Sequence, residues 1–314
     1  MTKHPNVEFR KLVKDLRDPE KKKEIYEAQE QRKISWPEYN LSKINEYKND
    51  FKFIRESVNK IRFNQNKTVG RPPVNKKVLV KAILVCESVG LPERQAQGFL
   101  EIVGPYLGIN DILDDRVISN AYDDNKIAEM MYQLFLETRS SDGRLGGDGT
   151  GLERSRKDNY ENTKKKKAGQ YMTSIIDSRE IVQAFDISGI QECQIMHELI
   201  KIVKGNSLRL DAGFNDRKLA KEMAELGMRP FIFPRKDNDI NGDPYWQCMY
   251  LTFYWDIINW LIEYHQRSHT ESFHSSFKRT FGILTKLKLN AKFVQVCARI
   301  IIHNARRLSY FDRI

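Results

Sequence analysis

Cysteine is scarce in this chain of 314 residues, and its four cysteines, Cys86, Cys193, Cys248 and Cys297, form no C-x-x-C pair. That spacing excludes a zinc ribbon and a small disulfide scaffold, and predicts buried thiols. No apolar run approaches the roughly 18 residues that a membrane span needs. No apolar stretch follows the start Met1-Thr2-Lys3-His4-Pro5, as a secretory signal would require. The expectation is a soluble, cytoplasmic protein. Acidic residues are in deficit: 42 Asp+Glu face 53 Lys+Arg, a net charge of +11, and such a surface attracts polyanions, nucleic acid first among them. At about 150 residues per domain the length allows two or three domains.

Three regions follow from composition. Residues 1–69 form a charged helical N-terminal region in which Ile44, Tyr47, Phe51, Ile54, Val58 and Ile61 recur at helical spacing. It reads either as a solvated arm or as a DNA-contacting one. Gly70-Arg71-Pro72-Pro73 breaks the helical pattern and opens a region over 70–140. An extended Gly-Arg-Pro segment can also lay Arg71 in a minor groove. Two helices follow, one from Lys76 to about Gly90 and one from Pro92 toward Val103. They match a helix-turn-helix that offers Arg94, Gln95 and Gln97 to DNA, or an ordinary helical hairpin. Ile127, Met130, Met131, Leu134 and Phe135 predict another helix over 125–138.

The third region, 141–314, alternates strands and helices. Strands are expected over 144–148, 171–176, 181–186, 207–210 and 230–233, and helices over about 191–204 and 215–226. The β-β-β-α-β-α-β order predicts a mixed α/β sheet. Asp148 and Asp211 stand at predicted strand ends, each followed closely by glycine, and could share one crevice. Either one taken alone reads better as a turn or cap residue.

A third carboxylate comes from the stretch 263–278. Placed on a single helix at about 100° per residue, Tyr264, Arg267, Glu271 and Lys278 fall within a sector of about 60°. Trp255, Ile262, Phe273 and Phe277 form an opposite apolar stripe. Arg267 and Glu271 at i,i+4 also fit a plain surface ion pair. His265-x3-His269 could make half a zinc site, but neither a neighbouring cysteine nor an H-E-x-x-H motif completes it.

Tyr264-x2-Arg267-x3-Glu271-x6-Lys278 resembles the Y-x2-R-x3-E-x6-K signature of bacterial and archaeal insertion-sequence transposases of the DDE class. Asp148-Gly149-Thr150-Gly151 resembles the first catalytic segment of that family. Leu210-Asp211-Ala212-Gly213-Phe214-Asn215, with Gly227-Met228-Arg229-Pro230 and Ile232-Phe233-Pro234-Arg235-Lys236 downstream, resembles the second. The likeness spans roughly residues 35–310. It implies an α/β ribonuclease-H-like mixed sheet with helices, preceded by the all-α helix-turn-helix region.

The resemblance further implies Asp148, Asp211 and Glu271 as catalytic residues and as ligands of two Mg²⁺ or Mn²⁺ ions. With no protein nucleophile, water would first cut the phosphodiester and the freed 3′-OH would then attack target DNA. Arg267 and Lys278 would grip phosphates, and Tyr264 would add a hydrogen bond. The spacing of 60 residues from Asp211 to Glu271 leaves no room for the large β-strand insertion of some members.

The basic run from Glu153 to Lys167, ending in Lys164, Lys165, Lys166 and Lys167, reads as solvated charge or as a phosphate-contacting loop. Trp255 and Trp260 read as core aromatics, with stacking on a displaced base as the alternative. The expected partners are double-stranded DNA, as terminal inverted repeats and target, and a second copy in a DNA-bound dimer. A nuclease that stops after hydrolysis, and a non-catalytic DNA-binding protein, are the alternatives.

Overall fold

The computed structural model describes residues 4–26, 34–62, 74–153 and 170–312. Arg71 and Lys164 to Lys167 lie outside the described residues. The chain forms a five-stranded mixed sheet with helices, in strand order β3-β2-β1-β4-β5. The strands are β1 (Arg144–Leu152), β2 (Gln170–Asp177), β3 (Val182–Asp186), β4 (Ser207–Leu210) and β5 (Arg229–Ile232). β2 and β3 pair antiparallel, whereas β1 pairs parallel with β4, and β4 with β5.

The described residues divide into two compact units, each assembled from segments far apart in sequence. The sequence-drawn boundaries at 69/70 and 140/141 run along the chain, and the units do not. The sheet unit takes residues 4–26, 140–151 and 171–275. The helical unit takes 34–139 and 276–312, with residues 152–153 and 170.

In the sheet unit, α1 (His4–Asp15) and α2 (Pro19–Ile25) come first. The sequence reads this region as a charged arm, solvated or DNA-contacting; in the structure Phe9, Val13 and Leu16 recur at i,i+4,i+7 and are buried. Phe9 meets Tyr250 and Phe253 at ring-centroid distances of 5.1 and 5.5 Å. Burial of each such side chain is worth about 1.5–3 kcal/mol, which outweighs the charged composition of α1.

In the helical unit, α3 (Trp36–Ile44), α4 (Glu46–Lys60), α5 (Lys76–Val89), α6 (Glu93–Leu107), α7 (Asp115–Ala121) and α8 (Asn125–Glu137) are followed much later by the last helix, Leu289–Phe311. Gly90, left-handed at φ 74°, ends α5, and the Gly90 and Leu91 amides both donate to the Cys86 carbonyl. This places a tight turn between α5 and α6 where the sequence predicts one. On α4, Ile54 and Val58 are buried, while Tyr47 is exposed.

Between β3 and β4 lies α9 (Glu192–Leu199), shorter than predicted because the chain tightens into a 3₁₀ turn over Ile200–Ile202. Between β4 and β5 lies α10 (Arg217–Glu225), and after β5 come α11 (Pro244–Trp255), α12 (Ile257–His265), α13 (Ser268–Phe281) and α14 (Leu289–Phe311). The single helix assumed for 263–278 is two: the chain turns at Gln266 and Arg267, so Tyr264 ends one helix while Glu271 sits in the first turn of the next. Trp255 is 77 % exposed rather than part of an apolar stripe, because it closes α11 just before the chain turns at Asp256. Trp260, by contrast, is buried. Of the cysteines, Cys86 and Cys297 are buried, Cys193 is half-buried and Cys248 is exposed. No helix of the described residues is long and apolar enough to cross a membrane.

Candidate active site

β1 carries the sequence Arg144-Leu145-Gly146-Gly147-Asp148-Gly149-Thr150-Gly151-Leu152. Asp148 lies within this strand rather than at its end, since the strand continues to Leu152 along the sheet. Its register with β4 pairs Arg144 with Ser207, Leu145 with Leu208 and Gly146 with Arg209. Two further steps in the same register bring Asp148 beside Asp211, the first residue after β4, on one face of the sheet.

Glycine is required on this strand by close approach. A Cβ at Gly146 would sit 2.9 Å from Thr270 Cγ2, so the absence of a side chain lets the start of α13 settle onto β1. That contact brings Arg267 and Glu271 to Asp148. Arg267 Nη1 lies 3.2 Å from Asp148 Oδ2 and its Nη2 lies 2.5 Å from Glu271 Oε1. One guanidinium thus bridges two of the three expected carboxylates. Arg267 and Asp148 are largely buried, while Glu271 is 62 % exposed.

The fold braces this arrangement from behind. Arg209 on β4 is almost fully buried and donates from Nε to the Glu263 carbonyl (2.7 Å), from Nη2 to the Glu263 carboxylate (2.5 Å), and from Nη1 to Ser207 Oγ (2.9 Å) and the Leu145 carbonyl (3.3 Å). It clips the end of α12 to the sheet. Tyr264 then stacks on Trp260 at 5.0 Å and packs against Phe233 at 5.3 Å. Its phenol, hydrogen-bonded with Arg267, is pushed up to about 12 mainly by burial. The loop after Asp211 is held by Arg235, which donates to the Ala212 carbonyl (2.8 Å) and the Gly213 carbonyl (3.1 Å). Asp211 itself accepts from the Gly213 amide at 2.7 Å.

Burial pushes the Asp148 carboxyl up to about 6; its hydrogen bond from the Gly149 amide and Arg267 pull it down, and Asp211 and Glu192 push it further up. Glu192 is a residue the sequence reading missed. It opens α9, and its carboxylate crowds the position that a Cβ on Gly149 would take. Its acid strength is lowered by burial and by Asp211. No spacing from Asp148 or Asp211 marks it, because only the packing of α9 on β1 brings it there.

The structure therefore gathers Asp148, Asp211, Tyr264, Arg267 and Glu271. Lys278 is exposed on the last turns of α13, in the segment belonging to the helical unit. Arg94, Gln95 and Gln97 also belong to that unit. Arg94 Nε lies 3.2 Å from Asp115 Oδ2, and Gln97 Oε1 accepts from the Asp115 amide at 3.2 Å, so both also serve to join α6 to α7. His265 packs against Tyr26 at a ring-centroid distance of 4.7 Å. The one group of three metal-ligating side chain types that converges among the described residues is Cys193, His197 and Asp216. No family model matches the chain, and no curated protein or solved structure matches it either.

Proposed function

We propose that this chain is a DDE-class DNA transposase that cuts phosphodiesters at the ends of its element and joins the freed 3′-OH to target DNA. The observation that carries the reading is the Arg267 bridge between Asp148 and Glu271. Residues 119 and 4 positions from Arg267 meet at one guanidinium, and all three belong to the resemblance seen in the sequence. The strand order, with its antiparallel β2–β3 hairpin and parallel β1–β4–β5 half, supports a ribonuclease-H-like core.

Asp148, Asp211 and Glu271 offer oxygen donors only, which suits Mg²⁺ or Mn²⁺. Two such ions, when bound, supply charge neutralisation at phosphorus and an activated water. The crowding fits this donor role, since Asp211 and Glu192 raise the cost of ionising Asp148, and Asp211 that of ionising Glu192, until a cation arrives. Arg267 exchanges its carboxylate partners for a phosphate oxygen of the bound strand, in the bidentate geometry that guanidinium favours. The buried Tyr264 hydroxyl keeps its proton at neutral pH and orients that guanidinium. Lys278 adds a second phosphate contact. Double-stranded DNA and a second copy of the chain complete the working complex.

The deciding experiment is Mg²⁺-dependent cleavage and joining on DNA carrying the element's flanking inverted repeats, with wild type against Glu271→Gln. Joined products from the wild type alone are expected. Cleavage without joining would make the protein a nuclease, binding without cleavage a DNA-binding protein, and equal activity in both proteins would remove Glu271 from the site.

A further inference from the structure

On the side of α9 that faces α10, two residues one helical turn apart, Cys193 and His197, meet Asp216 at the start of α10. The Cys193 Sγ, a His197 ring nitrogen and an Asp216 carboxylate oxygen all lie within 4.8 Å of one another. We infer that Cys193, His197 and Asp216 form a site for a borderline-soft divalent cation of the Zn²⁺ class, with a fourth position open to solvent. The inference stands whether or not the chain is a transposase.

Two of the three ligands are already oriented. Asp216 caps α10 with Oδ1 alone, accepting from the Lys218 amide at 2.7 Å and the Leu219 amide at 3.4 Å. Its second oxygen, Oδ2, is turned instead toward His197 Nε2 at 3.5 Å. Tetrahedral zinc with bonds of about 2.0–2.3 Å places its ligand atoms about 3.3–3.7 Å apart, so this separation needs almost no adjustment. On the other side of the ring, His197 Nδ1 is 2.6 Å from Glu222 Oε2. A carboxylate on the far nitrogen fixes the tautomer in which Nε2 presents its lone pair, the arrangement that holds metal-ligating imidazoles in place. Glu222 is held in turn by Lys218, 3.7 Å from its Oε1.

The donor set decides the class of ion. Thiolate, imidazole and carboxylate together suit zinc and its tetrahedral relatives, whereas Mg²⁺ and Ca²⁺ select oxygen alone. The site is half-buried, with His197 16 % and Asp216 38 % exposed, so an ion has a path in. Its position suggests its work. It would tie the helix that carries Glu192 to the helix that follows Asp211, fixing two carboxylates of the neighbouring cluster from outside it. Without an ion, His197 simply lies between the Asp216 and Glu222 carboxylates as a polar bridge between two helices, the alternative that a metal titration separates.

Cobalt separates them, because a thiolate bound to Co²⁺ gives an intense near-ultraviolet charge-transfer band that carboxylates and imidazole do not. The full chain, stripped with chelator, is titrated with Co²⁺ and then with Zn²⁺. One equivalent of Co²⁺ should produce the band, and Zn²⁺ should abolish it. Cys193→Ser should remove the band, and Glu222→Gln should weaken Co²⁺ binding about 10–100-fold. Asp148→Asn should leave the band intact, which keeps this site apart from the carboxylate one. Asp216→Asn retains the helix cap while removing the charge, and should weaken binding in a protein whose circular dichroism is unchanged. Absence of the band in wild type, or its persistence in Cys193→Ser, would overturn the site. Should Cys193→Ser fail to fold, the wild-type band and its loss of affinity in Asp216→Asn decide the question.

Discussion

Arg209 and Glu263 are joined twice, through the carboxylate at 2.5 Å and through the backbone carbonyl at 2.7 Å. The pairing reaches from a central strand to the end of α12, and the next residue in the chain is Tyr264. Side-chain exposure is 1 % for Arg209 and 43 % for Glu263, so the burden of burial falls on the arginine. Its four acceptors, together with the Phe231 ring 5.3 Å away, meet that cost.

Replacing Arg209 by Met should therefore lower stability by about 2–4 kcal/mol, since three acceptors lose a partner and Glu263 can turn to water. Arg209→Lys should recover less than half of this, because one ammonium cannot span the same fork. Urea denaturation midpoints at unchanged slope would measure both. A loss below about 0.5 kcal/mol in Arg209→Met would show that the clip is dispensable.

Much of the sheet was legible in the sequence, and the reason is local. Ile175, Ile176, Ile181, Val182 and Phe185 flank a turn in which Asp177 accepts from the Arg179 and Ile181 amides, so the β2–β3 hairpin is written into one stretch. The Arg267–Glu271 contact is likewise a one-turn relationship. The break at Gln266 was hidden because neither proline nor glycine marks it. Asp148 within its strand, Glu192 over Gly149, and the meeting of Cys193 with Asp216 depend on packing between elements, which no spacing records. The burial of α1 was in principle readable from Phe9, Val13 and Leu16, but the surrounding charge concealed a narrow stripe.

Gly146 should tolerate no side chain unless Thr270 yields. The Thr270 Cγ2 stands 2.9 Å from the Cβ position and belongs to a short, stiff side chain whose Oγ1 donates to the Arg267 carbonyl at 2.7 Å. Gly146→Ala should cost about 1–3 kcal/mol through overpacking. Thr270→Ser removes the offending methyl and keeps the hydroxyl, so the double variant should regain most of the loss. A thermal-denaturation double-mutant cycle reads this coupling, and additive losses would mean that the contact is not what limits position 146.

If Asp148 and Glu271 hold cations as proposed, the guanidinium of Arg267 that bridges them competes for the same oxygens. Arg267→Gln should tighten Mn²⁺ binding about tenfold, as the loss of a positive charge at this distance allows. The same variant should cut DNA about 100-fold more slowly if Arg267 stabilises the developing phosphate charge. Calorimetric Mn²⁺ titration and single-turnover cleavage together test the two halves. Weaker Mn²⁺ binding in the variant would mean that Arg267 organises the carboxylates rather than competing for them.

The Asp148 carboxyl supplies a pH dependence whose sign follows from its environment. Held at about 6 in the folded chain chiefly by burial, it titrates near 3.9 when unfolded, about two units lower. Between these values the unfolded chain has lost its proton and the native chain retains it. The stabilising contribution is therefore full below about pH 4 and is lost as pH rises through about 6, a swing of about 3 kcal/mol. Other groups titrate in the same range, so the informative quantity is the difference between wild type and Asp148→Asn, which cannot ionise there. With chelator present, the variant's stability relative to wild type should rise by about 3 kcal/mol from pH 4 to pH 7. Saturating Mn²⁺ should shrink that rise, because a cation stabilises the charged carboxylate in the native state alone. A difference that stays flat across this range would place Asp148 in contact with water instead of beneath Arg267.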